Sequence, residues 1–296
     1  RSKSLKIARM LQPPAKAWVG VSASALRANV AAAARIADPA QVIPVVKANA
    51  YGHGLALVVR ALAEERVPFF AVDSVEEARV IRDASPQSPV LLLGYIPQHQ
   101  LEEVLESGWS FVCSKREMLS WVMKRSTIDR PAKIHLEIET GLYRQGADQE
   151  ELDAMLTLLE SAGKRVVVEG ICSHFASAEQ VENQDATEQQ ERLLREACAH
   201  VEARGYAPRW RHIACSAAIW LRAPGSWNAV RLGISLYGIW SSAGVAEVAT
   251  QQHSALVLTP ALTWKTIVAE VKSVPNGAAI GYGGTERVTR ATRLAV

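Results

Sequence analysis

Along most of the chain, short runs of β-branched and other apolar residues alternate with longer stretches whose apolar positions recur every three or four residues. A short strand is predicted at Trp18–Val21, followed by a helix at Ser24–Ile36. Strand–helix pairs follow at Val42–Val46 and Leu55–Glu64, Phe69–Val72 and Val75–Asp83, and Val90–Leu93 and Leu101–Ser107. The series continues with Phe111–Cys113 and Arg116–Lys124, Lys133–Ile138 and Glu150–Ala162, and Val166–Cys172 and Thr187–Ala203. Arg211–Ile213 with the short helix Ser216–Leu221, and then the strand Ala229–Arg231, complete it. Ser74 with Glu77, and Ser114 with Glu117, have the spacing of capping boxes at two helix starts.

These strands are mostly apolar runs too short to alternate, as expected where both faces are covered, and eight of them with following helical segments predict a closed, TIM-like (β/α)8 barrel of parallel strands. An open doubly wound sheet would want a glycine-rich phosphate turn after its first strand, and the sequence has none there. From about Ser254 the pattern changes. Ala261–Val268, Val271–Val274 and Arg293–Val296 read as strands without intervening helices, the start of an all-β C-terminal domain. The organisation expected is an N-terminal linker over 1–16, a barrel over 17–254 and a partial β domain over 255–296. The chain opens on Arg1 with a basic stretch to Arg9 that lacks the apolar core of a signal peptide, and it stops in a strand-like pattern with no turn after it. It reads as a piece of a longer protein.

Composition narrows the function classes. Across 296 residues, 49% are hydrophobic and 21% charged, which excludes a disordered or fibrous chain. No apolar run reaches the roughly 18 residues that span a bilayer. Lys and Arg number 33 against 30 Asp and Glu, a net +3 that gives no reason to expect nucleic-acid binding. Cys113, Cys172, Cys198 and Cys215 are scattered without metal-ligand spacing, so no metal site is expected, and they read as reduced thiols of a cytoplasmic compartment.

Polar residues at strand ends carry the candidate chemistry, because active sites of this barrel lie where the strands end. Lys47 directly follows an apolar strand, and a crowded lysine amine there is a nucleophile for carbonyl compounds. His174 follows the strand ending at Cys172. Ser216 opens a helix, a place suited to a phosphate. Arg231 ends the last barrel strand, and Gly233 with Ile234 comes at once after it, offering close backbone approach. Each has an ordinary structural reading: strand-end lysine, core histidine, helix cap, ion-paired arginine. Four such groups on one rim favour a site.

The same residues carry a family resemblance. Val46–Gly54 (VKANAYGHG) resembles the pyridoxal-phosphate attachment motif of alanine racemases. Glu139–Gly146 (ETGLYRQG), Ser173–Ala176 (SHFA), Val230–Gly238 (VRLGISLYG) and Gly281–Thr285 (GYGGT) are similar to further blocks of that family, in the family's order. The resemblance runs from Trp18 to the end. It implies a fold type III barrel followed by a β domain, a homodimer sharing its active sites, and an isomerase that interconverts L- and D-alanine for cell-wall peptidoglycan. Carried over residue by residue, it implies that Lys47 holds pyridoxal 5'-phosphate covalently. Tyr51, Ser216, Gly233 and Ile234 would bind its phosphate, His174 would pack on its ring, Arg231 would donate to the ring nitrogen, and Arg144 would lie near its phenolic oxygen. Lys47 and Tyr282 would be the two acid–base groups, with Tyr282 facing Lys47 of the partner subunit.

Three positions depart from the family's pattern. Glu137 stands where many members have a lysine, often carbamylated, which suggests a carboxylate paired with Arg144. Cys215 replaces an asparagine beside Ser216, and at a helix start its thiol could be reactive. Leu142 replaces a methionine. The family's substrate-carboxylate residues would lie beyond Val296. The competing readings are a serine or broad-specificity racemase, a decarboxylase of the same fold class, a non-enzymatic cofactor-binding barrel and a purely structural barrel.

Overall fold

Eight consecutive strands of the chain pair in parallel and close on themselves. In the computed structural model, which describes residues 16–222 and 224–296, the elements begin with β1 (Ala17–Val21), α1 (Ala23–Ala37), β2 (Gln41–Pro44), the left-handed turn α2 (Lys47–Tyr51) and α3 (Leu55–Leu62). Next come β3 (Phe70–Val72), α4 (Val75–Ala84), β4 (Val90–Leu92), α5 (Leu101–Glu106), β5 (Ser110–Cys113) and α6 (Arg116–Arg125). They are followed by β6 (Ala132–Glu137), α7 (Gln149–Glu160), β7 (Val166–Cys172), α8 (Asp185–Ala203), β8 (Trp210–His212), α9 (Ser216–Leu221), β9 (Ala229–Leu232) and α10 (Ala243–Gln252). The remainder is β10 (Leu262–Thr266), β11 (Val271–Val274), β12 (Ala279–Ile280), β13 (Glu286–Arg287) and β14 (Thr292–Ala295).

Strands β3 to β8 form one sheet in sequence order, and β2 pairs with β9. A parallel bridge between Val45 and Ala71 joins β2 to β3. Hydrogen bonds from Asn228 N–H to the Arg211 carbonyl (3.2 Å) and from Arg231 N–H to the Ala214 carbonyl (2.9 Å) join β8 to β9. The expected barrel is thus closed. Alternate residues explain the apolar runs: Val42, Phe70, Val72, Val90 and Leu92 belong to the large core shared with the helices. Ile43, Val45, Ala71, Leu91 and Trp210 form a separate cluster on the other face, inside the barrel.

Helix starts follow local chemistry in part. Ser74 accepts from Glu77 N–H as expected, but the Glu77 carboxylate accepts from Asp73 and Asn49 N–H groups instead of completing the box. Ser114 does not cap: the residue before α6 is Lys115, with no side-chain cap bond, and Glu151 accepts the Arg116 N–H instead.

Two compact units divide between Ala261 and Leu262, with Ala17–Gly20 joining the second. The chain stays on the barrel beyond Ser254 because Asn29 holds it there. Its side chain donates to the carbonyls of Leu236 (3.0 Å) and Thr259 (2.9 Å) and accepts from Thr259 N–H (2.9 Å). The smaller unit is built of three two-stranded pairings, β1 with β10, β11 with β14 and β12 with β13. The predicted strand Trp18–Val21 therefore belongs to this all-β unit and not to the barrel. The basic stretch Arg1–Arg9 lies outside the described residues. Among the described residues no helix is long and apolar enough to cross a membrane.

Candidate active site

The C-terminal ends of the barrel strands surround a cavity of about 650 Å³, and the side chains that bring polar chemistry into it come from seven of the eight strand ends or the loops beyond them. Lys47, Tyr51, Arg144, His174, Ser216, Arg231, Gly233 and Ile234 all line it. The predicted barrel residues are thus brought together.

Lys47 and Tyr51 reach the cavity by an unusual piece of backbone. Ala48, Asn49, Ala50 and Tyr51 all have φ between 52° and 55°, a left-handed turn built without glycine. Each such residue costs roughly 1–2 kcal/mol, so the surroundings must hold it. Ala50 N–H donates to the Val46 carbonyl (2.8 Å), and the Asn49 side chain accepts from Leu55 N–H (2.8 Å). The His53 ring stacks on Tyr237 with centroids 4.3 Å apart. The Lys47 ammonium lies 3.6 Å from Asp73, a cavity residue that sequence reasoning missed although it too directly follows a strand.

A cradle of neutral donors occupies one end. The Ser216 hydroxyl accepts from Gly233 N–H (3.0 Å) and Ser235 N–H (3.3 Å), so its own proton is free to donate. A Cβ placed on Gly233 would lie 3.0 Å from the Tyr51 hydroxyl and 3.7 Å from the Ser216 hydroxyl. A side chain there would crowd the Tyr51 hydroxyl. Loss of solvent, and then the neighbouring Cys215, push the Tyr51 phenol above its ordinary value, so it stays a proton donor at neutral pH.

Arg231 is 6% exposed and makes no ion pair among the described residues. Its guanidinium donates to the carbonyls of Ser173 and Ile213, to Nδ1 of His174 (2.9 Å) and to Nδ1 of His212. Burial, and then the charges of Arg231, Arg144 and Lys47, push His174 down to about 3, so it accepts as a neutral imidazole. Its loop is pinned by Gln190, which donates to the His174 carbonyl (3.0 Å) and accepts from Ala176 N–H (2.9 Å).

Arg144 sits in a loop closed at its base, where Glu139 accepts from Leu142 N–H (2.9 Å). At Gly146, φ is +140°, and a Cβ would lie 2.5 Å from the Glu139 nitrogen, so the turn requires glycine. Glu137 also lines the cavity, but the expected ion pair with Arg144 does not form among the described residues. Its Oε2 has no partner, and loss of solvent raises its carboxyl although Arg231 and Arg144 pull it the other way. Burial likewise raises the Cys215 thiol, overriding the N–H groups of Ala218 and Ala217. That is the opposite of an activated cysteine.

Tyr282 belongs to the smaller unit, where it is fully exposed in a tight turn. Among the described residues no three potential metal ligands cluster.

The chemistry of the donor set fits a phosphorylated carbonyl cofactor: an amine, hydroxyls framing a glycine gap, and a fixed guanidinium share one cavity. Residues 21–241 match the family described as alanine racemase, N-terminal domain. The chain is similar to the alanine racemases of Carboxydothermus hydrogenoformans (35% identity, 94% of this chain and 73% of the relative) and Symbiobacterium thermophilum (34%, 94% and 72%). Among solved structures it is similar to alanine racemase from a D-cycloserine-producing Streptomyces lavendulae, with a TM-score of 0.83 and 30% identity over 96% of this chain and 74% of that one. The enzyme from Bacillus anthracis with bound L-Ala-P gives a TM-score of 0.79 and 30% identity over 96% and 72%.

Proposed function

The chain belongs to the alanine racemase family, a family of isomerases, and from that premise we propose that it interconverts the alanine enantiomers with Lys47 and Tyr282 as the two acid–base groups. Pyridoxal phosphate, on which the family depends, supplies the electron sink for a carbon that loses its proton. The chain's own part is to hold that group and move the proton. Lys47 anchors the cofactor through its amine and serves one face of the substrate's α-carbon. Tyr282 of the partner subunit serves the other, in a homodimer with shared sites. Its exposure in a glycine-flanked turn suits a residue that acts outside its own unit.

Tyr51, Ser216, Gly233 and Ile234 hold the phosphate. His174 packs against the ring. Arg144 lies at the phenolic oxygen. Arg231 donates to the ring nitrogen, and because a guanidinium does not give up its proton, that nitrogen stays uncharged. The Arg231 contact would therefore keep the cofactor a weak electron sink. The names of the relatives favour alanine over serine, and an enzyme over a binding barrel.

One observation carries the reading: Lys47, the hydroxyl cradle and Arg231 converge in a single cavity. The test is exchange of the α-hydrogen of L- and of D-alanine in deuterium oxide, with pyridoxal phosphate added. Exchange of both enantiomers, abolished in Lys47→Ala and reduced by Tyr282→Phe, is expected. Exchange that persists in Lys47→Ala overturns the assignment.

A further inference from the structure

Inside an otherwise apolar barrel, a line of polar side chains leads away from the cavity. His212 receives the Arg231 guanidinium on Nδ1, and its Nε2 lies 2.8 Å from Nδ1 of His135. Both imidazoles are wholly buried. Nε2 of His135 in turn faces the Glu169 carboxylate at 3.4 Å, a long contact that falls short of a full hydrogen bond. Ser110 donates to the same carboxylate oxygen.

Donor and acceptor roles in this line are forced. A guanidinium has no acceptor, so His212 must accept at Nδ1 and carry its proton on Nε2. That proton points at His135 Nδ1, which must accept, so His135 carries its proton on Nε2, facing Glu169. Every N–H then points away from Arg231, and every lone pair points toward it. A buried guanidinium without an ion-pair partner needs such compensation.

Two backbone features serve this arrangement. In the β6–β7 ladder Ile134 pairs with Val168 and His135 with Gly170, so Glu169 is the extra residue of a β-bulge. A bulge re-aims a side chain. Next to it, a Cβ on Gly170 would lie 2.3 Å from His135 Nδ1, so the imidazole occupies the space a side chain there would need.

We propose that Glu169 is a positioning residue that acts on Arg231 through His135 and His212, fixing the guanidinium that meets the cofactor ring. This rests on the functional reading given above. Burial, and next the Arg231 charge, push His212 well below its ordinary value. Burial lowers His135 too, against the pull of Glu169. Glu169 itself stays ionised, because contacts from His135 and Ser110 outweigh its partial desolvation.

The test has two arms on the full chain. In protein labelled with 15N-histidine, assigned by single His→Asn variants, His135 and His212 are expected neutral with the proton on Nε2 from about pH 6 to about pH 8. A cationic ring, or a proton on Nδ1 at either position, overturns the proposal whether or not a cofactor binds. In the second arm, equilibrium dialysis against pyridoxal phosphate compares Glu169→Leu, Glu169→Gln and Glu169→Asp. Affinity is expected to fall about tenfold in the leucine variant, less in the glutamine variant, and to recover in the aspartate variant. In an Arg231→Lys background the Glu169 changes are expected to have no further effect. Unchanged affinity, or effects that simply add to that of Arg231→Lys, overturn the proposal. Should the unaltered chain take up no pyridoxal phosphate, the functional reading fails instead, and the histidine resonances still decide the relay.

Discussion

Gly170 and His135 share one space: a Cβ on the glycine would sit 2.3 Å from the imidazole Nδ1 and 2.7 Å from its Cγ. The ring is wholly buried, lies edge-on to Phe69 at 5.5 Å, and cannot retreat into solvent. Gly170→Ala is therefore an overpacking change in a closed barrel, expected to cost about 1–3 kcal/mol. Urea denaturation measures this, and an unchanged midpoint would contradict the packing described.

Acid should unfold the barrel earlier than its carboxylates alone would suggest. His174 titrates at about 3 in the fold, chiefly through burial and then through the charges of Arg231, Arg144 and Lys47, against about 6.5 in an unfolded chain. Between those values the unfolded chain holds the extra proton, so stability falls as pH falls, by about 1.4 kcal/mol per pH unit for each such histidine well below 6.5. His135 and His212 are shifted in the same direction, and Glu137 in the opposing sense offsets at most one of them. A urea midpoint that drops steeply from pH 7 to pH 5, less steeply in His174→Gln, is expected. A flat profile would mean these rings are already protonated or exposed.

Glu137 is a buried carboxyl with an unpartnered oxygen, held above its ordinary value by loss of solvent. Ionising it costs the fold stability, so its presence is unfavourable above its folded pKa and less so below. Glu137→Gln is expected to be more stable than the parent at pH 8, with the difference shrinking toward pH 5. If the variant is less stable at pH 8, the carboxylate has a partner and the ion pair with Arg144 regains its case.

At the hydroxyl cradle, Ser216→Ala leaves the N–H groups of Gly233 and Ser235 without their shared acceptor. An unsatisfied buried donor costs about 1–3 kcal/mol. The variant is expected to bind pyridoxal phosphate more weakly and to lose stability even without it. Gly233→Ala should weaken binding through the Tyr51 contact. Equal affinity in all three proteins would remove Ser216 and Gly233 from the site.

The barrel was legible because most of its strands are short apolar runs, with Lys47, His174 and Arg231 at or just beyond strand ends. Other features depend on contacts remote in sequence. Nothing local marks Ala48–Tyr51 as left-handed, since the turn is held by Leu55, Glu77 and Tyr237. The interior pair His135 and His212 lies 77 residues apart and reads locally as two ordinary strand positions. Strand β1 looked like a barrel strand because its partner, β10, lies at the far end of the chain. Helix α10 was missed outright, its alanine-rich stretch giving little amphipathic contrast.

The central claim is that Lys47 is the anchor of a cofactor held in this one cavity. Its most direct test is borohydride reduction of the chain equilibrated with pyridoxal phosphate, followed by peptide mapping. The account predicts a visible absorption band lost on reduction and a single pyridoxyl-modified peptide carrying Lys47. Modification spread over surface lysines, or a band that survives in Lys47→Ala, would contradict it.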